Sequence, residues 1–221
     1  MNFELTTSDV HTFAAYRADP AGEPRGGVVV IQEIFGVNHH IRAVADAFAR
    51  EGYLAIAPAM FDRVRRGVEL DYTPAGLAEG RALRSQISLD AAMVDVTAAV
   101  AAAADAAGRV GIVGYCWGGY VTWMASARVD GLACAVPYYG AGILDHPDIE
   151  PRCPVMAHFG ERDQMIPAEG VRQLAARHPT HEFYLYDADH GFHCDERASY
   201  DAAAARLAGE RTLAFLRRHV G

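Results

Sequence analysis

The stretch from Val110 to Tyr120 constrains this chain more than any other. Val110-Gly111-Ile112-Val113 is a short apolar run that reads as a strand, and Gly114-Tyr115-Cys116-Trp117-Gly118 is a Gly-x-Cys-x-Gly turn. Gly119 and the apolar stretch from Val121 to Ala127 then read as a helix. A strand, a sharp turn and a helix with a reactive side chain at the tip make a nucleophile elbow, here with cysteine in place of serine. Lifting a side chain to the tip of so tight a turn needs strained backbone there. It also needs residues without Cβ two positions to either side, so that strand and helix can pass closely. The helix start adds free N–H groups and a positive dipole end beside the sulfur, which favour a thiolate and any oxyanion formed next to it.

Around the elbow the chain alternates strand and helix. Residues 3–8 and 11–17 read as a preliminary hairpin, and Pro20 to Gly27 as a connection. Val28 to Ile31 has the continuous apolar character of a strand buried on both faces. A loop from Gln32 to Asn38 leads to a helix from His39 to Arg50, ended by Gly52, and Tyr53 to Ala57 is the next strand. Residues 59–72 read as irregular, with Arg63, Arg65 and Arg66 as a solvated basic cluster. Helices at 74–86 and 89–107 precede the elbow. After it come strands at Ala133 to Pro137 and Val155 to Phe159, a helix at Ala168 to Arg177, a strand at Glu182 to Tyr186 and a last helix at Ala198 to Arg218. This order predicts an α/β fold over residues 1–221 as one domain, with a mostly parallel central sheet covered by helices on both faces. Ligands of such sheets collect at the carboxyl ends of the strands.

Two of those strand ends carry an acid and a base. Gly160-Glu161-Arg162-Asp163 follows one strand, and Asp189-His190-Gly191-Phe192 follows the last. Nucleophile, acid, histidine is the chain order of α/β-hydrolases, in which the histidine takes the nucleophile's proton and the acid orients the imidazole. Taken alone, Asp163 also reads as a turn or capping residue and His190 as a surface turn histidine. Their joint occurrence behind an elbow favours catalysis. His193 is the alternative base, and His158, inside a strand, reads as a hydrogen-bonded core histidine.

Composition removes whole classes. All 20 cationic residues are arginine, so Schiff-base chemistry and a P-loop lysine are excluded. A formal net charge of −8 argues against nucleic acid or an anionic membrane as partner. Cys116, Cys134, Cys153 and Cys194 are widely spaced, with no Cys-x-x-Cys pair and no adjoining zinc-ligand pattern, and chemistry by a nucleophile, an acid and a histidine needs neither a metal nor an organic cofactor. Without a basic-then-apolar leader or an apolar run of membrane length, a reduced cytoplasmic setting is the expectation.

The motifs Gln32 to Asn38, Gly114 to Gly119, Tyr138-Tyr139-Gly140, Gly160 to Asp163, His190-Gly191-Phe192 and Glu210-Arg211-Thr212-Leu213 together resemble the dienelactone hydrolase (carboxymethylenebutenolidase) family over nearly the whole chain. The resemblance implies Cys116 as nucleophile, His190 as base and Asp163 as its orienter. It also implies Glu33 as a carboxylate beside the resting thiol, and the backbone N–H groups of Ile34 and Trp117 as an oxyanion hole. Phe35, Trp117 and Tyr138 are candidates to line the pocket. The family grips a substrate carboxylate with two arginines, at positions occupied here by Leu77 and Cys194. Among Arg81, Arg84 and Arg197, Arg81 is the best substitute. The expected activity is cleavage of small-molecule esters or lactones through a cysteine acyl-enzyme. The alternatives are a general carboxylesterase or thioesterase on neutral esters, and a ligand-binding or redox-sensing module on the same fold; oligomeric state is left open.

Overall fold

In the computed structural model, which describes residues 1–221, the elbow strand β5 (Val110–Tyr115) lies inside an eight-stranded sheet. From edge to edge the order is β1 (Asn2–Thr6), β2 (Thr12–Ala18), β4 (Leu54–Pro58), β3 (Gly27–Ile31), β5, β6 (Leu132–Tyr138), β7 (Met156–Gly160) and β8 (Glu182–Tyr186). β1 and β2 pair antiparallel, as does β2 with β4, and every pair from β4 to β8 is parallel. Successive strand residues point to opposite faces, so the burial of every residue in β3, β4, β5 and β7 requires cover on both sides. Six helices provide it: α1 (His39–Arg50), α2 (Pro74–Arg84), α3 (Leu89–Ala107), α4 (Trp117–Arg128), α5 (Ala168–Arg177) and α6 (Ala202–His219). The buried apolar side chains form one contiguous cluster of 63 residues. No single helix is long and apolar enough to cross a membrane.

Local chemistry sets the helix starts. Asn38, Thr73, Ser88 and Asp201 each cap a helix by accepting a hydrogen bond from the N–H three residues on. The Asp201 cap moves the start of α6 from the expected Ala198 to Ala202, and residues 191–200 are turns instead. That difference matters, because those turns carry Cys194 and Arg197 back toward the strand ends.

The basic cluster near residue 63 is a second correction. Arg63 ends a single 3-10 turn (Met60–Arg63) and is mostly buried: Nε and Nη2 donate to both oxygens of Asp95 at 2.9 and 2.8 Å, while Nη1 donates to Asp9 at 2.9 Å. Asp95 lies buried on α3, where burial pushes its carboxyl up and Arg63 opposes the shift. Arg65 and Arg66 are exposed, as expected. Arg63→Ala would strand a buried carboxylate, at a cost of about 3 kcal/mol. Arg65→Ala, which breaks only an exposed pair with Glu79, should cost about 0–1 kcal/mol. Urea midpoints of the two variants check the contrast; equal losses would contradict it.

Candidate active site

Parallel pairing brings the carboxyl ends of β3, β5, β7 and β8 to one edge, and the candidate residues leave from there. Cys116 stands between β5 and α4 with φ +54°, a conformation that non-glycine residues rarely adopt. The glycines that flank it are required by space. A Cβ on Gly118 would come within 2.4 and 2.5 Å of the Ile31 and Gln32 carbonyl oxygens, and one on Gly114 within 2.1 Å of the Gly118 oxygen. The elbow is thus wedged against the end of β3, and the Cys116 N–H donates to the Tyr138 carbonyl at 3.0 Å, tying it to the end of β6.

Asp163, three residues past β7, and His190, in the turns past β8, converge on the thiol. His190 Nε2 lies 3.2 Å from Cys116 Sγ, and its Nδ1 lies 2.7 Å from Asp163 Oδ2. Asp163 is buried, and its other oxygen accepts the Met165 N–H at 2.8 Å, which fixes the carboxylate's orientation. Burial alone would pull the His190 imidazole down, but the hydrogen bonds to Asp163 and Cys116 outweigh it and push the imidazole up to about 10. The group as arranged can accept a proton from sulfur while a buried carboxylate stabilises the resulting cation.

Glu33 is fully buried just past β3, with its charge met on both oxygens. Tyr72 donates its hydroxyl to Oε2 at 2.9 Å, and Arg197 donates Nη1 to Oε1 at 3.1 Å. Arg197 lines the same cleft as Cys116. Gly191 makes this reach possible: it has φ +78°, and a Cβ there would meet Arg197 Nη1 at 2.4 Å. The sequence offers Arg197 only as a substrate ligand and gives no sign of Tyr72, which ends the stretch read as irregular and carries no motif.

The backbone N–H groups of Ile34 and Trp117 donate to no acceptor in the protein, and both residues line a cleft of about 300 Å³ that contains Cys116 and His190. Phe35 and Leu77 add apolar wall; Arg81 and Arg84 stand exposed at its edge without an ion-pair partner. Tyr138 does not line this cleft. Only its carbonyl serves the elbow, and its ring points into the core, packed at a tilt against Tyr115 and His158 with the hydroxyl 2.6 Å from Thr212 Oγ1. The next residue, Tyr139, packs edge-on against His190 at 5.2 Å instead, from a backbone at φ +36°. His158 is the core histidine expected, both nitrogens engaged, by Tyr186 and Thr212. His193 lies apart from the thiol between Tyr115 and Tyr138, and burial pushes its imidazole down to about 4.

Comparison with known proteins agrees with the motifs. The sequence profile of the dienelactone hydrolase family matches residues 13–220. A carboxymethylenebutenolidase of Pseudomonas putida is 34% identical over 225 residues, covering 96% of this chain and 94% of that one. A Synechocystis protein provisionally named as the same enzyme is 38% identical over 218 residues, covering 90% of this chain and 88% of that one. The crystal structure of a Klebsiella pneumoniae protein classed with the dienelactone hydrolases superposes with a TM-score of 0.83 at 33% identity, covering 99% of this chain and 98% of that one. Profile, relatives and fold agree over nearly the whole length, and the chain belongs to the dienelactone hydrolase family of α/β-hydrolases.

Proposed function

We propose that this protein hydrolyses small esters or lactones through a thioester on Cys116, with His190 as acid and base and Asp163 as its orienter. The observation that carries the reading is the His190 imidazole bridging Cys116 Sγ at 3.2 Å and Asp163 Oδ2 at 2.7 Å, beside a cleft with two unengaged backbone N–H groups. The proton of Cys116 rests on His190 as sulfur attacks the carbonyl carbon, and the carbonyl π electrons move onto oxygen. The Ile34 and Trp117 N–H groups donate to that oxyanion. Collapse expels the alkoxide, which takes the proton back from His190 and leaves the thioester. Water then loses a proton to His190, attacks the thioester and releases the carboxylic acid and the thiol. Glu33 serves this cycle together with Arg197: a carboxylate near sulfur disfavours a second negative charge, and the guanidinium hydrogen-bonded to that carboxylate offsets part of the repulsion.

The substrate reading rests on the walls. Leu77 supplies apolar surface where the family resemblance places an arginine, Cys194 is fully buried, and the Arg197 guanidinium is already engaged by Glu33. Of the remaining cations Arg81 is the candidate for a substrate carboxylate. An arginine fork in a protected site contributes roughly 1.5–3 kcal/mol per hydrogen bond, but an exposed one contributes far less. Neutral small esters and lactones should therefore be hydrolysed at least as well as a dienelactone, with kcat/KM little changed by adding a carboxylate. A panel of matched neutral and carboxylated substrates tests this. A strong preference for the carboxylated member that vanishes in Arg81→Ala would reverse the substrate assignment, and thiol oxidation by peroxide without turnover of any ester would reverse the activity.

A further inference from the structure

The first turn of α1 meets the turns after β8 beside the catalytic cleft. His39 and His40 face Cys194, Asp195 and Glu196 there. His39 Nδ1 pairs with Glu196, and His40 Nδ1 lies 3.1 Å from Asp195 Oδ1. One ligand-type atom each from His40, Cys194 and Asp195 lies within 4.8 Å of the other two. His40 and Cys194 are buried, whereas Asp195 is exposed, so the group has a protected floor and a side chain that opens to solvent. The imidazole is also not used up by the fold. His158 has both nitrogens hydrogen-bonded, but His40 bonds only to Asp195, and its Nε2 is buried without any partner.

We propose that His40, Cys194 and Asp195 form a binding site for zinc or a similar borderline-soft divalent cation, adjoining the candidate active site but sharing none of Cys116, His190 and Asp163. Thiolate and imidazole together select such ions over magnesium or calcium, which prefer all-oxygen shells. On binding, the Cys194 thiol releases its proton to solvent and sulfur donates an electron pair to the metal; His40 donates a nitrogen lone pair and Asp195 a carboxylate oxygen. Water completes the shell, and no oxidation state changes. Tetrahedral zinc with bonds of about 2.0–2.3 Å keeps its ligand atoms about 3.3–3.7 Å apart. The His40–Asp195 pair, at 3.1 Å, is already near that spacing, and the pairs with Cys194 lie within 4.8 Å. The spacing of ligands along the chain gives no hint of this site, because His40 and Cys194 belong to segments that meet only in the fold.

Cobalt(II) titration of untagged Cys116→Ser protein tests the site with the only cleft thiol removed. One equivalent should bind and produce an intense near-ultraviolet thiolate-to-metal charge-transfer band, bleached when zinc displaces cobalt. The band should be lost in Cys194→Ser, and His40→Gln and Asp195→Asn should each weaken binding at least tenfold. Far-ultraviolet circular dichroism checks that the variants fold; if Cys194→Ser does not, the other two carry the test. No stoichiometric binding, a band that persists in folded Cys194→Ser, or unchanged affinity in both His40→Gln and Asp195→Asn would overturn the proposal.

Discussion

Cys116→Ala is expected to lower ester hydrolysis by about 10⁶-fold on the scale of serine triads while leaving the fold intact. Alanine keeps the Cβ and therefore the same backbone strain at φ +54°, and the only side-chain hydrogen bond it removes is the one to His190 Nε2. Iodoacetamide should inactivate the wild type with a single alkylated thiol, for reasons the other cysteines make plain. Burial pushes Cys134 and Cys194 up to about 12 and Cys153 to about 11, and all three are shielded from reagent. Cys116 alone lines the cleft, at a helix start and against an imidazole. Substantial turnover in Cys116→Ala, or alkylation spread over several thiols, would contradict the assignment. The same alkylation measured against pH reads Glu33. Glu33→Gln removes a charge that disfavours the thiolate, so its profile should shift toward lower pH, and an unshifted profile with full activity would leave Glu33 without that role.

His190→Ala should be as damaging, at about 10⁶-fold in kcat on the scale of serine triads, and Asp163→Asn less so, at about 10⁴-fold. The base carries the proton in both half-reactions, whereas the acid only orients and stabilises it. His193→Ala should leave kcat within a few-fold, since that ring is neutral and packed between two tyrosines away from the sulfur. A reversed order between His190 and His193 would reassign the base. The same contacts predict a pH dependence of stability. The folded pKa of His190 lies above its unfolded value, so the folded state gains most where the imidazole is charged in both states, below about 6.5. That gain falls as pH rises from 6.5 to about 10, where the folded protein also loses the proton. The difference in urea midpoint between wild type and Asp163→Asn should therefore narrow across this window; a constant difference would show that the carboxylate does not raise the imidazole.

The features legible in the sequence are local. β-branched runs, caps and turn glycines act over a few residues, so the parallel α/β order, most helix boundaries and the elbow can be read without any knowledge of tertiary contacts. Where a local signal is overruled, a distant side chain does it. Arg63 reads as one of three arginines in a loop, and only the fold brings the buried Asp95 on α3 to it. Tyr138 reads as a pocket residue because it ends a strand beside the elbow, but the two-residue alternation of β6 turns its ring into the core and gives the cleft its carbonyl alone.

By itself the sequence determined the fold class, the family and the positions at which the candidate cysteine, aspartate and histidine leave the ends of β5, β7 and β8. Chain order and strand topology suffice for that, because parallel strands deliver their ends to one edge whatever their neighbours are. Only the tertiary structure decided which groups surround them. Tyr72 and Arg197 reach Glu33 across 39 and 164 residues of chain, and His40 meets Asp195 across 155. Such contacts depend on how turns pack once the sheet has formed, and a carboxylate, a guanidinium or an imidazole carries no periodicity that announces its partner.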